Sequence, residues 1–199
     1  MFEVTTEAIV LDKEDLREQD QRVYLYTKDL GKVIAKTVST RKILSKLAAH
    51  LEPLNMVTAR LVSRGDGSDV KGIMLVDALS SDNAATLKKD PQRLSQAIRV
   101  CALIHQSIPV GVPDEDLWNF LQNIRSGSRE ITFDSALHAL GFKAQFARCQ
   151  TCDRTQPEYF VPGDNFFICT ACTFNARTAE VDFIKIAAQG SESRQRWAV

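Results

Sequence analysis

Four of the chain's five cysteines fall in two Cys-x-x-Cys pairs, Cys149-Gln150-Thr151-Cys152 and Cys169-Thr170-Ala171-Cys172, with residues Asp153 to Ile168 between them. Two cysteines three apart can place both sulfurs on one ion at about 2.3 Å, and a second pair at this separation completes a tetrahedron. Four thiolate ligands leave no open position for a water, so a single structural Zn²⁺ is the expected occupant. Redox-active dithiols and an iron–sulfur cluster are the alternatives, although neither pair stands in a thioredoxin-like strand-to-helix context. Between the pairs, Tyr159-Phe160-Val161 and Asn165-Phe166-Phe167-Ile168 flank Pro162-Gly163-Asp164. That pattern predicts two strands and a hairpin turn, a zinc-ribbon-like insert over about residues 146–176.

The remainder of the chain predicts an α+β protein. Glu7-Ala8-Ile9-Val10-Leu11, residues 22–27, 32–38, 54–64 and 72–79 read as five short strands rich in β-branched and aromatic residues. A segment over 42–51 could hold a short helix. Five strands with such a segment between the third and fourth predict a five-stranded oligonucleotide-binding (OB) β-barrel over residues 1–82. From about residue 83 the apolar period changes from 2 to 3.6. Asp90-Pro91 opens one helix, Asp114-Glu115-Asp116 opens a second that Gly127 closes, and a third is expected over 132–140. These helices and the cysteine insert predict a second, helical domain over 83–199.

The first seven residues carry acids where a secretory signal carries bases, and the most apolar stretch, residues 100–112, falls short of the roughly 20 residues that span a bilayer. The expectation is a cytoplasmic protein with no membrane segment, in a reducing compartment where cysteines bind metal or pack. Cys101, alone on an apolar helical face, reads as a packing residue rather than a nucleophile. His50, His105 and His138 lack a second ligand or base at suitable spacing, and no phosphate loop or catalytic motif occurs, so no enzymatic activity is expected. The saturated thiolate set also disfavours a zinc hydrolase or deaminase.

The 25 basic and 25 acidic side chains cancel in sum but not by position. Residues 32–64 carry Lys32, Lys36, Arg41, Lys42, Lys46, Arg60 and Arg64 against Glu52 alone. The flanking stretches, 1–31 and 65–85, are net acidic. Several of these cations could line one groove and follow a phosphate backbone. In the second strand Val23 and Leu25 point inward, which puts Arg22, Tyr24 and Tyr26 on the opposite face. Interleaved rings and cations suit stacked single-stranded bases. The alternative for the tyrosines is packing of the barrel against the helices.

Glu7-Ala8-Ile9-Val10-Leu11, Glu18-Gln19-Asp20 ahead of Val23-Tyr24-Leu25-Tyr26-Thr27, Gly31-Lys32, and Leu51-Glu52-Pro53-Leu54 together resemble the N-terminal barrel of the RecO family of bacterial DNA recombination and repair proteins. A helical domain with a four-cysteine zinc site is similar to that family too. The resemblance implies a recombination mediator in the cytoplasm, associated with the nucleoid. Such a protein binds single- and double-stranded DNA, anneals complementary strands, and with RecR helps load RecA onto strands coated by single-stranded-DNA-binding protein. Val38-Ser39-Thr40-Arg41-Lys42 departs from the family's usual Lys-Gly-Ala-Arg-like turn while keeping the cations. The expected backbone contacts are Arg41, Lys42, Lys46, Lys36 and Lys32, with Arg22, Tyr24 and Tyr26 beside them. The competing expectation is a non-enzymatic protein-interaction scaffold whose barrel binds nucleic acid only weakly.

Overall fold

A computed structural model describes residues 2–16, 20–38, 47–63, 72–82, 84–127, 131–176 and 183–186. The chain divides into two units, Met1–Thr132 and Phe133–Val199.

In the first unit, β1 (Phe2–Asp15), β2 (Gln21–Thr27), β3 (Gly31–Thr37), β4 (Met56–Ser63) and β5 (Ile73–Asp82) close a barrel in the order β1-β2-β3-β5-β4. Neighbours are antiparallel except β3 and β5, whose parallel pairs Ala35↔Ile73 and Lys36↔Met74 complete the ring. The period-2 pattern fills the interior with Ala8, Val10, Val23, Leu25, Val33, Ala35, Val57, Ala59, Leu61, Ile73, Leu75 and Ala78. β1 is longer than its apolar run because it serves two partners, β4 through residues 2–9 and β2 through 8–15, with a register shift between Val10 and Asp12. Alternation fails at Ala8–Leu11, where all four side chains are buried. A helix over Pro91–Ser107, α2, packs over β1, so the outward Ile9 and Leu11 are covered as well.

The segment after β3 enters the described residues as turns at 47–50. Leu51 and Leu54 are fully buried, Leu51 within the barrel's apolar core. Leu54 has φ 70°. That left-handed conformation costs roughly 1–2 kcal/mol. Burying each leucine returns about 1.5–3 kcal/mol, and the backbone is tied to β1 by Leu54 N–H to the Val10 carbonyl (2.8 Å) and Val10 N–H to the Asn55 carbonyl (3.0 Å).

Three helices complete this unit: α1 (Ala85–Lys88), α2 (Pro91–Ser107) and α3 (Glu115–Ser126). The caps at Asp90 and Gly127 are those the sequence predicts, while Asp114, expected among the first-turn acids, is itself the N-cap of α3. Asp90 accepts from the backbone N–H groups of Gln92 and Arg93 with Pro91 at the first helical position, Asp114 accepts from Leu117 N–H, and Gly127 ends α3 at φ 72°. Arg93 donates to the Gly127 carbonyl at 2.8 Å and joins the start of α2 to the end of α3. The α2–α3 connection runs beside β3, with Gly111 N–H donating to the Lys32 carbonyl at 2.9 Å. A Cβ on Gly31 would lie 2.1 Å from the Val112 carbonyl oxygen, so only glycine fits there. By compactness the helices over 85–126 group with the barrel in the unit Met1–Thr132.

The second unit holds α4 (Phe133–Ala139), a 3₁₀ turn at Ala144–Phe146, β6 (Tyr159–Val161), β7 (Phe166–Ile168), α5 (Thr170–Ala176) and β8 (Ile184–Lys185). The expected hairpin is present as antiparallel β6 and β7, and β8 adds to β6 on the other side. Phe160 stacks against Phe142 and Phe167 at ring-centroid distances of 5.0 and 5.1 Å. Cys149, Val161, Ile168 and Cys169 form a buried cluster beside them. Among the described residues no helix is long and apolar enough to cross a membrane.

Candidate metal centre and nucleic-acid interface

Two tight turns present the four cysteines to one another. In the first, Cys149 N–H donates to the Arg154 carbonyl and Asp153 N–H donates to the Cys149 carbonyl, both at 2.9 Å. Asp153 takes φ 58° to close the turn. In the second, Cys169 follows β7 directly and Cys172 lies in the first turn of α5. Gln150 N–H to the Phe167 carbonyl, 2.9 Å, fastens the first turn to β7.

The four Sγ atoms all lie within 4.8 Å of one another, and Cys152 Sγ to Cys169 Sγ is 3.7 Å. A tetrahedron with ligands at about 2.3 Å has edges of about 3.8 Å. The thiols are not disulfide-bonded. Cys149 and Cys169 are buried, Cys172 is half-buried and Cys152 is exposed. Burial pushes the Cys149 thiol up, but N–H groups from Cys169, Cys152 and Thr151 outweigh it and bring it down to about 6. Hydrogen bonds with Cys152 and Cys169 push Cys172 up to about 12. A dication bound among the four sulfurs would favour the thiolate form of all of them. The donor set and its spacing fit a metal ion held by Cys149, Cys152, Cys169 and Cys172.

The remaining cysteine, Cys101, is fully buried and its thiol is pushed up to about 12 by burial and by Asp12, as suits a packing residue. His50 accepts from Ser80 N–H, His105 stacks on Tyr24, and His138 is exposed on α4.

The residues expected to contact nucleic acid separate into three groups. Tyr24, Tyr26 and Lys32 are covered by the α2–α3 region, which is a correction to the reading of them as contacts. Tyr24 is 9 % exposed, with its ring 4.0 Å from that of His105. Tyr26 is 1 % exposed, and its hydroxyl accepts from Asp114 N–H at 2.9 Å and donates to the Asp114 carbonyl at 3.2 Å. Lys32 is 7 % exposed and donates to the carbonyls of His105 and Ile108. Alternation assigned the tyrosines to the right face, but that face is packed rather than wet. Burial accordingly raises both tyrosine hydroxyls and lowers Lys32, and it lowers His105 with help from the Lys32 charge.

Arg22 and Lys36 form the second group. They are directly opposite across β2 and β3 and both reach solvent. Arg22 pairs with Glu14, its neighbour on β1, and Lys36 pairs with Asp20 at 3.0 Å. The Tyr24 hydroxyl and Glu14 raise the Arg22 guanidinium further above its ordinary value. Arg60, on β4, pairs with Glu3 at 3.5 Å. Acids of the first twenty residues therefore stand against Arg22 and against two cations of the basic block, Lys36 and Arg60, a compensation whose last two pairings are hidden by a count taken segment by segment. The signal for it lay in the acidic stretch Asp12–Asp20 ahead of β2. Exposed pairs of this kind contribute about 0–1 kcal/mol each, so a polyanion can displace the acids. Arg41, Lys42 and Lys46, the third group, lie outside the described residues, as does Arg64.

Residues 1–78, which make up most of the barrel, match the family model described as Recombination protein O N terminal. Over 184 residues the chain is 24 % identical to the DNA repair protein RecO of Geobacter metallireducens, covering 86 % of this chain and 73 % of that one. It is 26 % identical over 178 residues to the protein of the same name from Thermodesulfovibrio yellowstonii, covering 85 % and 70 %, and 25 % identical over 179 residues to that of Dehalococcoides mccartyi, covering 84 % and 69 %. The two comparisons point the same way: residues 1–78 match the RecO N-terminal model, and over most of its length the chain is similar to DNA repair proteins named RecO.

Proposed function

We propose that the chain is a non-enzymatic mediator of DNA repair and homologous recombination. In this reading the barrel is an OB fold that binds single- and double-stranded DNA and promotes annealing of complementary strands. With RecR it helps load RecA onto strands coated by single-stranded-DNA-binding protein, and it works at the nucleoid. The four cysteines hold one structural Zn²⁺ in a zinc-ribbon-like element, where the ion supplies a fixed cross-link and no chemistry. The family match on the barrel carries this reading.

On the barrel's outer face Arg22 and Lys36 stand side by side, and β3 leads from Lys36 into residues 39–46 with Arg41, Lys42 and Lys46. A phosphate backbone crossing this corner would exchange Glu14 and Asp20 for its own oxygens. The test is binding of labelled single-stranded DNA across a range of salt. The Arg41→Ala/Lys42→Ala double variant should bind more weakly on every sequence, with its log–log salt slope reduced by about 1.4. An unchanged affinity and slope would refute the surface.

The protein-interaction scaffold has one observation in its favour: Met74, Val76 and Leu79 of β5 are exposed on the barrel. Absence of DNA binding at low salt would favour it.

A further inference from the structure

We propose that the four-thiol centre is also a peroxide-responsive site, attacked at Cys152 and resolved by Cys169 into a Cys152–Cys169 disulfide that unloads the metal. This rests on the metal-site reading given above.

The four sulfurs are not equivalent. Cys149 is 2 % exposed and Cys169 is fully buried, whereas Cys152 is exposed and sits in a turn whose neighbours Gln150, Thr151, Asp153 and Arg154 are exposed too. A small oxidant therefore meets Cys152 first. The resolving sulfur must be close and held in place. Cys169 Sγ is 3.7 Å from Cys152 Sγ. Its backbone is pinned on both sides, with the N–H directed at Cys149 Sγ (3.4 Å) and the carbonyl accepting from Cys172 (3.0 Å) and Thr173 (3.1 Å). The exposed turn can swing Cys152 onto a fixed partner, closing 3.7 Å to the roughly 2.05 Å of a disulfide.

The chemistry balances with hydrogen peroxide as the oxidant. The Cys152 thiolate attacks one peroxide oxygen, the O–O bond breaks, hydroxide departs and Cys152 becomes a sulfenic acid. The Cys169 thiolate then attacks the Cys152 sulfur, the S–O bond breaks and a second hydroxide departs. Two sulfurs have given up two electrons to one peroxide. Cys149 and Cys172 alone cannot complete a tetrahedron, so metal retention and the disulfide exclude each other. A dithiol reductant reverses the step and restores the ligands.

The experiment uses the full chain purified under reducing conditions, then freed of reductant. Its zinc content is measured first. Hydrogen peroxide is added in sub-stoichiometric steps while zinc release is followed with a chromogenic chelator, and unreduced digests are mapped by mass spectrometry. One zinc should leave per peroxide consumed, with Cys152–Cys169 as the first bridge. A brief N-ethylmaleimide pulse should label Cys152 ahead of Cys149 and Cys169. The Cys152→His variant, which keeps a zinc ligand but removes the attacked sulfur, should retain its zinc at the same peroxide dose. Zinc that stays bound in the native chain, a first bridge within either Cys-x-x-Cys pair, or earlier labelling of Cys149 would overturn the proposal while leaving the metal site standing. A chain that carries no zinc at the outset overturns both. Where Cys152→His does not load metal, the bridge map of the native chain decides.

Discussion

The hydroxyl of Tyr26 hydrogen-bonds both backbone groups of Asp114, accepting from the N–H and donating to the carbonyl. Asp114 in turn caps α3 by accepting from Leu117 N–H at 2.9 Å. One phenol on the second strand thereby sets where the third helix begins. Tyr26→Phe keeps the ring but leaves these groups with one partner fewer, and should destabilise the first unit by about 1 kcal/mol in urea unfolding. Its DNA affinity, measured where the unit is fully folded, should equal that of the native chain. Loss of binding without loss of stability would instead mark Tyr26 as a stacking platform.

Gly31→Ala tests the neighbouring contact. The added Cβ would meet the Val112 carbonyl at 2.1 Å in a backbone with φ 65°. The main chain of the α2–α3 connection has to move, so a loss of about 2–4 kcal/mol is expected. A variant within 0.5 kcal/mol of the native chain, roughly the scatter of ordinary surface changes, would mean that the connection does not dock as described.

His105 gives the first unit a defined response to acid. Burial, and then the charge of Lys32, lower its pKa below the ordinary 6.5. A group depressed in the folded state binds more protons when unfolded, so stability rises with pH across the interval between the two values. Stability should thus fall as pH drops below about 6.5, until the folded-state value is passed. His105→Gln should flatten that part of the curve in denaturant titrations at successive pH values. Equal slopes for the two proteins would exclude His105 as the source.

Metal removal should act on the second unit. Cys149 and Cys169 lie in its buried apolar cluster with Val161 and Ile168, so the ion and the core are one structure. Structural zinc contributes on the order of 10 kcal/mol in zinc-finger peptides. Chelation under reducing conditions should expose residues 133–186 to limited proteolysis while the barrel resists. A digestion pattern and melt unchanged by metal loss would contradict a structural role.

The acids facing the barrel's cations predict an effect of opposite sign to cation removal. Glu14→Gln frees Arg22 of its partner and should tighten single-stranded DNA binding by up to about fivefold, the size of an exposed pair. Weaker binding in that variant would show that Glu14 positions Arg22 instead of competing for it.

Much of this protein is written locally. The cysteine centre follows from two three-residue spacings and a hairpin between them, the helices from Asp90-Pro91, Asp114 and Gly127, and the barrel from alternating apolar residues. Each of these signals acts over a few neighbouring residues, and each reappears in the structure where the residues predict it. The fate of the candidate DNA contacts was decided at longer range. Tyr26 meets Asp114 88 residues away, and Lys32 meets the His105 carbonyl 73 residues away. Alternation along a strand tells which side a residue faces but not what covers that side, and a charge count by segment cannot see which acids fold back onto which bases. Whether a tyrosine stacks on a base or on a histidine, and whether a lysine meets a phosphate or a helix carbonyl, was settled only when the α2–α3 connection closed over the barrel.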